Sequence, residues 1–287
     1  MQYVDFFGNK VSKLIVGDNP FNGHSYIHEW ITGKEMVSYH TEEKIVEAIH
    51  RMEELGINTM LPLADPYIIR ILQHYRNDGG KMNFIFQHYA PVPIEISIPQ
   101  MMTVDPIGAY ISGSFIDVNY ELGNKDAIFE MIGKAKDAVA SRGSNMKIGI
   151  GTHHPEVVEV SESEDWGADF YMACMYNLRR NRIGEQSGFL TGKTKAGIVA
   201  IPEDRPVMLE TLKGIRKPVI AFKIFAGGQM LVEKTEEERR ALIEDTYNTI
   251  FTSLKKDDFA VIGVFQKYHD QLGENVSVFE EWASKQK

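Results

Sequence analysis

Short apolar runs recur along the chain, separated by stretches in which apolar residues return every three or four positions. Eight runs stand out, at residues 14–17, 57–62, 83–87, 108–111, 147–151, 169–173, 218–222 and 259–264. In most of them the apolar residues are consecutive, as in Val219-Ile220-Ala221-Phe222 and Val261-Ile262-Gly263-Val264. A half-exposed strand would alternate. Consecutive apolar residues mark strands buried on both faces, as in a parallel sheet covered by helices.

The stretches between carry helix signals. Thr41 stands where it can cap a helix whose first turn holds Glu42 and Glu43, with Ile45, Ala48, Ile49, Met52 and Leu55 at helical spacing and Gly56 as the stop. Asn124 opens a second pattern through Ile128, Ile132, Ala135 and Val139 to Gly143, and Thr235 with Glu238 forms a capping box. Val276, Phe279 and Trp282 mark a terminal helix. The strand–helix alternation runs from end to end without a linker or repeat, which predicts one α/β domain over residues 1–287, a single (β/α)8 barrel. Before its first strand, residues 3–7 and 11–15 around Gly8-Asn9 predict a β-hairpin that plugs the barrel bottom. Residues 178–202, rich in Arg, Gly, Thr and Lys, predict a long loop that serves as a lid or binding segment.

Composition narrows the function. The 287 residues include 31 basic and 40 acidic ones, a net charge of −9, which argues against a nucleic-acid partner. At 43% hydrophobic and 25% charged, the chain is globular in composition. One cysteine, Cys174, excludes an internal disulfide, and its place inside a strand marks it as a core residue. No apolar stretch reaches a membrane span, and the N-terminus lacks a signal-peptide pattern, so a cytoplasmic protein with a small-molecule partner is expected.

In such a barrel the chemistry sits at the C-terminal strand ends. The first strand leads to Asp18, Asn19 and His24, the second to Asp65 and Tyr67, and the third to Gln87 and His88. The fourth ends in Ser112-Gly113-Ser114 with Asp117 close behind, and the fifth in His153 and His154. Lys223 follows four apolar residues at the seventh, where desolvation would lower its pKa and suit it as base, Schiff-base former or anion clamp, or else leave it snorkelling to the rim. Asp65 and Tyr67 form a candidate proton-handling pair, with a helix cap as the alternative for Asp65. The adjacent His153 and His154 point to opposite sides, so one at most reaches the centre. Asp18, Asn19, His24 and His88 are candidate substrate contacts. Gly227 and Gly228, just past Lys223, are candidates for phosphate binding through backbone N–H groups. No metal ligand set is assigned. A metal site from His24, His88 and His153 with Asp18 or Asp65 stays an alternative that rests on strand-end placement.

The chain resembles the aldo-keto reductases. The resemblance rests on residues 11–23, on Leu55-Gly56-Ile57-Asn58, on Ala64-Asp65-Pro66-Tyr67, on Lys147-Ile148-Gly149-Ile150-Gly151-Thr152, on Met175-Tyr176-Asn177 at the sixth strand, and on Phe222-Lys223-Ile224-Phe225-Ala226-Gly227-Gly228. It implies the barrel, a carbonyl or carbohydrate substrate, and NADP held by Asn177, Phe222, Gly227, Gly228 and Gln266. Of the family's Asp, Tyr, Lys and His, only the tyrosine has a counterpart, Tyr67. The other positions fall on Leu61 or Pro62, on Gln87 or His88, and on Ser112 or Gly113. The expectation is therefore an aldo-keto-reductase-like enzyme with a non-standard site, in which Lys223, Asp65, Tyr67 and His153 handle protons. The alternatives are a metal-dependent sugar isomerase or lyase and a non-catalytic barrel that binds a small ligand.

Overall fold

The structure is a computed structural model that describes residues 1–177 and 200–286. Two antiparallel strands, β1 (Tyr3–Phe6) and β2 (Asn9–Ser12), precede a closed parallel barrel. Its strands are β3 (Leu14–Gly17), β4 (Thr59–Leu61), β5 (Asn83–Gln87), β6 (Gly108–Ile111), β7 (Lys147–Thr152), β8 (Tyr171–Cys174), β9 (Val219–Phe222) and β10 (Phe259–Gly263). They pair in chain order, and β10 closes the ring on β3. The chain therefore folds as a (β/α)8 barrel. Among the described residues its helices are α1 (Gly33–Tyr39), α2 (Glu42–Glu54), α3 (Pro66–Asn77), α4 (Ile94–Met101), α5 (Gly113–Glu121), α6 (Lys125–Ala140), α7 (Pro155–Ser163), α8 (Asp204–Leu212), α9 (Glu236–Ser253) and α10 (Gln271–Ser284). None of them is long and apolar enough to cross a membrane. Most of the predicted lid at residues 178–202, with Arg179, Arg180 and Arg182, lies outside the described residues.

The local signals act as the sequence implies. Thr41 accepts from Lys44 N to start α2, and the Thr235–Glu238 capping box starts α9. The second barrel strand begins two residues later than its apolar run suggests. Gly56, at φ +80°, donates to Glu53 O while Ile57 N donates to Met52 O, a Schellman closure of α2 that takes Ile57 out of the sheet. The hairpin also turns one residue earlier than expected. Phe7 and Gly8 both have positive φ, which fits the two-residue turn that matches strand twist.

Side chains fill the barrel rather than leaving a pore. Phe6 reaches up from the hairpin to meet the rings of Phe170 and Phe259 edge-on, at 5.2 and 5.4 Å between centroids. Ile15, Ile85 and Ile220 complete that lower layer, and Leu61, Tyr110, Met172 and Val261 lie in the same cluster. These last four also form the floor of a cavity at the opposite, C-terminal end.

Candidate active site

The cavity, about 350 Å³, opens at the C-terminal mouth and leans toward the sector of β9, β10 and β3. Lys223 leaves β9 with a left-handed backbone, φ +56°, an uncommon conformation for a residue with a side chain. Its ammonium lies 4.8 Å from the ring centres of both Tyr26 and Phe222. It donates to His153 Nε2 at 3.2 Å. Burial works against the charge, but Tyr26, Cys174 and Asp117 favour it, and the net effect holds the ammonium above its ordinary value. A cationic Lys223 suits the anion or carbonyl clamp among its expected roles.

Behind Lys223 stands a chain of hydrogen bonds. His153 Nδ1 is 2.7 Å from Asp117 Oδ2, which assigns its proton to Nδ1 and leaves Nε2 to accept from the lysine. Burial, then the Lys223 charge, pushes the imidazole pKa down, so His153 is neutral. Asp117 is fully buried on α5 and also accepts from Thr152 Oγ1 at 2.5 Å and from His153 N at 3.2 Å. A buried carboxylate with this many donors is rigid and fixes the ring it faces. His154 turns away, as adjacent residues on a strand must, and pairs with Glu121 at 2.8 Å.

Asp18 supplies a second titratable group. It is 4% exposed at the end of β3, and its Oδ2 accepts from Leu63 N and Asn22 Nδ2, both at 2.7 Å. Burial outweighs those bonds and lifts its carboxyl to about 7. His24, also in the cavity wall, is pushed down to about 4, mainly by burial, and is neutral. Asn19 lines the same wall, and Tyr110 donates to Gln87 at 2.6 Å on the floor.

The other expected residues serve elsewhere. Asp65 caps α3 by accepting from Tyr67 N and Ile68 N, the alternative its sequence position left open. Tyr67 is 52% exposed on the outer surface and does not line the cavity. His88 braces the turn after β5 through Val92 O, at 2.8 Å. Gln266 caps α10 by accepting from Leu272 N, and Asn177 bonds through its backbone to Asp204. Phe222, Gly227 and Gly228 do line the cavity. In the turn at these glycines the N–H groups of Ala226, Gly228 and Gln229 bond to its own carbonyls. Gly227, at φ +66°, is required there: a Cβ would lie 2.8 Å from Tyr26 Cβ. Among the described residues no group of three His, Cys, Asp or Glu side chains is arranged to hold a metal ion.

Strand-end reasoning names Asp117 without giving it a role and passes over Tyr26. Asp117 sits on a helix, and its signal is a carboxylate in the apolar neighbourhood of Phe115, Ile116 and Val118. Tyr26 lies far along the loop after β3, with no local signal.

No family model matches the sequence, and no curated protein is significantly similar to it. Solved structures share its fold. An aldo-keto reductase from Bacillus halodurans in its holo form superposes at a TM-score of 0.59 and 13% identity, over 97% of this chain and 90% of that one. An NADPH complex of a Gox0644 variant reaches 0.56 at 10% identity, over 97% and 88%. A dihydropteroate synthase from Xanthomonas albilineans, solved with 4-aminobenzoic acid, reaches 0.53 at 11% identity, over 99% and 97%. The protein therefore belongs to the architectural class of (β/α)8 barrels, with structural neighbours that include aldo-keto reductases beside barrels of other chemistry. At these identities the likeness is one of fold alone.

Proposed function

We propose that the protein is an enzyme acting on a small carbonyl compound by proton transfer at the C-terminal mouth of the barrel. The observation that carries the reading is the Asp117–His153–Lys223 chain, which holds a cation beside the cavity. The Lys223 ammonium binds the carbonyl oxygen. Asp18, with its carboxyl near 7, is part ionised at neutral pH and serves as the proton-transfer group. As carboxylate it takes a proton from the carbon next to the carbonyl. The C–H electron pair moves into the new C=C bond and the carbonyl π pair onto oxygen. Lys223 stabilises that oxyanion, and Asp18 returns the proton to complete an isomerisation or exchange.

On the outer stretch of the cavity Arg239 is held by both oxygens of Glu274, while Glu233 and Lys234 bring charges of both signs. The turn at Gly227 engages the N–H groups of Ala226, Gly228 and Gln229. The proton-transfer reading needs no nicotinamide.

The test is solvent deuterium exchange. In D2O, with a panel of small ketones and aldehydes, the wild type is expected to wash deuterium into the α-position, read by loss of the proton NMR signal. Asp18→Asn should slow exchange by about 10²–10⁴, and Lys223→Met by about 10²–10³. Exchange no faster than buffer with every compound, or unchanged in Lys223→Met, overturns the reading.

A further inference from the structure

The cavity is much longer than a carbonyl group, and its two ends differ. Lys223, Asp18 and His24 are among the residues that line it. Beyond them the wall is apolar: Ile27, Ile31 and Met36 from the segment after β3, Leu231 from the segment after β9, and Val264 and Phe265 after β10. Past this wall Glu233 and Lys234 bring charges of both signs. Trp30 Nε1 donates to Glu233 at 3.1 Å, tying the two overhanging segments together, and Tyr268 and Lys267 both bond to Glu35. Arg239 and Glu274 close their own pair at 2.9 Å.

We infer that the site takes an amphiphilic ligand, with one oxygen-bearing head, ketone or monocarboxylate, on Lys223 and an apolar chain or ring along the Ile31–Leu231 wall. This rests on the reading of Lys223 as the oxygen-binding group. Two features support the class. The volume, about 350 Å³, is at the small end for ligand cavities, which suits a compact body rather than an extended cofactor. The apolar wall offers a sugar's hydroxyls no partners, and unpaired hydroxyls there would be costly.

The experiment is calorimetric titration of the full chain with butanoate, hexanoate and octanoate, and with ribose phosphate. It is run at pH 6, where Asp18 is mostly protonated and does not repel a carboxylate. Affinity is expected to rise up to about fourfold per added methylene, with ribose phosphate weaker than octanoate. Ile31→Asp and, on the opposite segment, Leu231→Asp should each flatten the rise. Both residues are half-buried, so neither variant charges the core. Equal affinity along the series, or tighter binding of ribose phosphate, overturns the inference. Lys223→Met separates the two claims. If it weakens butanoate while affinity ignores chain length, the lysine reading stands and the amphiphile falls. If the chain-length rise survives and butanoate binds as before, the apolar wall stands and the lysine reading falls.

Discussion

Asp18→Asn isolates the energetic consequence of burying a carboxyl at the mouth of the barrel. In the folded protein its pKa is about 7, against an ordinary 3.8. At about 1.4 kcal/mol per pH unit, ionising it in place costs the fold roughly 4 kcal/mol relative to the unfolded chain. The sign follows from the direction. A carboxyl raised on folding contributes fully below its unfolded value, and that contribution is lost as pH rises through about 7. About 2 kcal/mol of the penalty is present at pH 5 and about 4 at pH 8. An asparagine has no charge to desolvate, and its amide oxygen can stand in for Oδ2, where both the Leu63 N–H and the Asn22 amide bonds land. The variant should therefore be more stable than wild type at pH 8, and its advantage should shrink by about 2–3 kcal/mol at pH 5. Urea unfolding at the two pH values measures the difference, and subtraction of wild type removes every other titrating group. A difference constant to within about 0.5 kcal/mol would refute the claim that Asp18 is a desolvated carboxyl.

Three further outcomes test the frame around the site. Asp117→Ala leaves the Thr152 hydroxyl and two His153 donors without their acceptor, and should cost about 3 kcal/mol in denaturant unfolding; a cost under about 1 would mean the carboxylate is not organising them. Phe6→Ala should cost about 3–5 kcal/mol, because its ring is fully buried against Phe170 and Phe259. Carboxylate affinity at the far mouth should be unaffected, which the same titration would check. Gly227→Ala meets both a left-handed backbone and the Tyr26 side chain, and should lower stability by about 1–2 kcal/mol in thermal unfolding.

The barrel was legible in the chain because its signals are local. Residues 14–17, 83–87 and 108–111 form strands with those same bounds. Burial on both faces removes alternation, and glycines such as Gly56 stop the helices between. Lys223 was legible by one rule, that a polar residue ending an apolar strand reaches the mouth. Its charge state was not, because burial alone predicts a lowered pKa and the opposing groups come from the loop after β3, from β8 and from α5. Asp65 illustrates the converse. Its strand-end position suggested chemistry, yet the two N–H groups that follow it were nearer than any substrate. Asp117 could be assigned only once β6 and β7 were known to be neighbours, since that pairing brings the helix after one strand to the histidine after the next.

The sector of the rim that carries charge also limits the chemistry. In the aldo-keto reductase pattern the acidic, basic and imidazole groups would stand at the ends of the second, third and fourth barrel strands. Here Leu61 lines the floor, Gln87 accepts from Tyr110, and Ser112 adds no charge. The titratable groups lie instead on Asp18 after β3, His153 after β7 and Lys223 after β9. A carbonyl oxygen bound by this barrel is thus drawn toward β9, and Leu61 and Tyr110 form the floor beneath it. Changing Gln87 to lysine would take from Tyr110 the acceptor of its hydroxyl and place a cation beside that buried ring. On the proposed reading, restoring one residue of the family pattern would not restore its reaction, because the oxygen it must act on is bound across the mouth by Lys223.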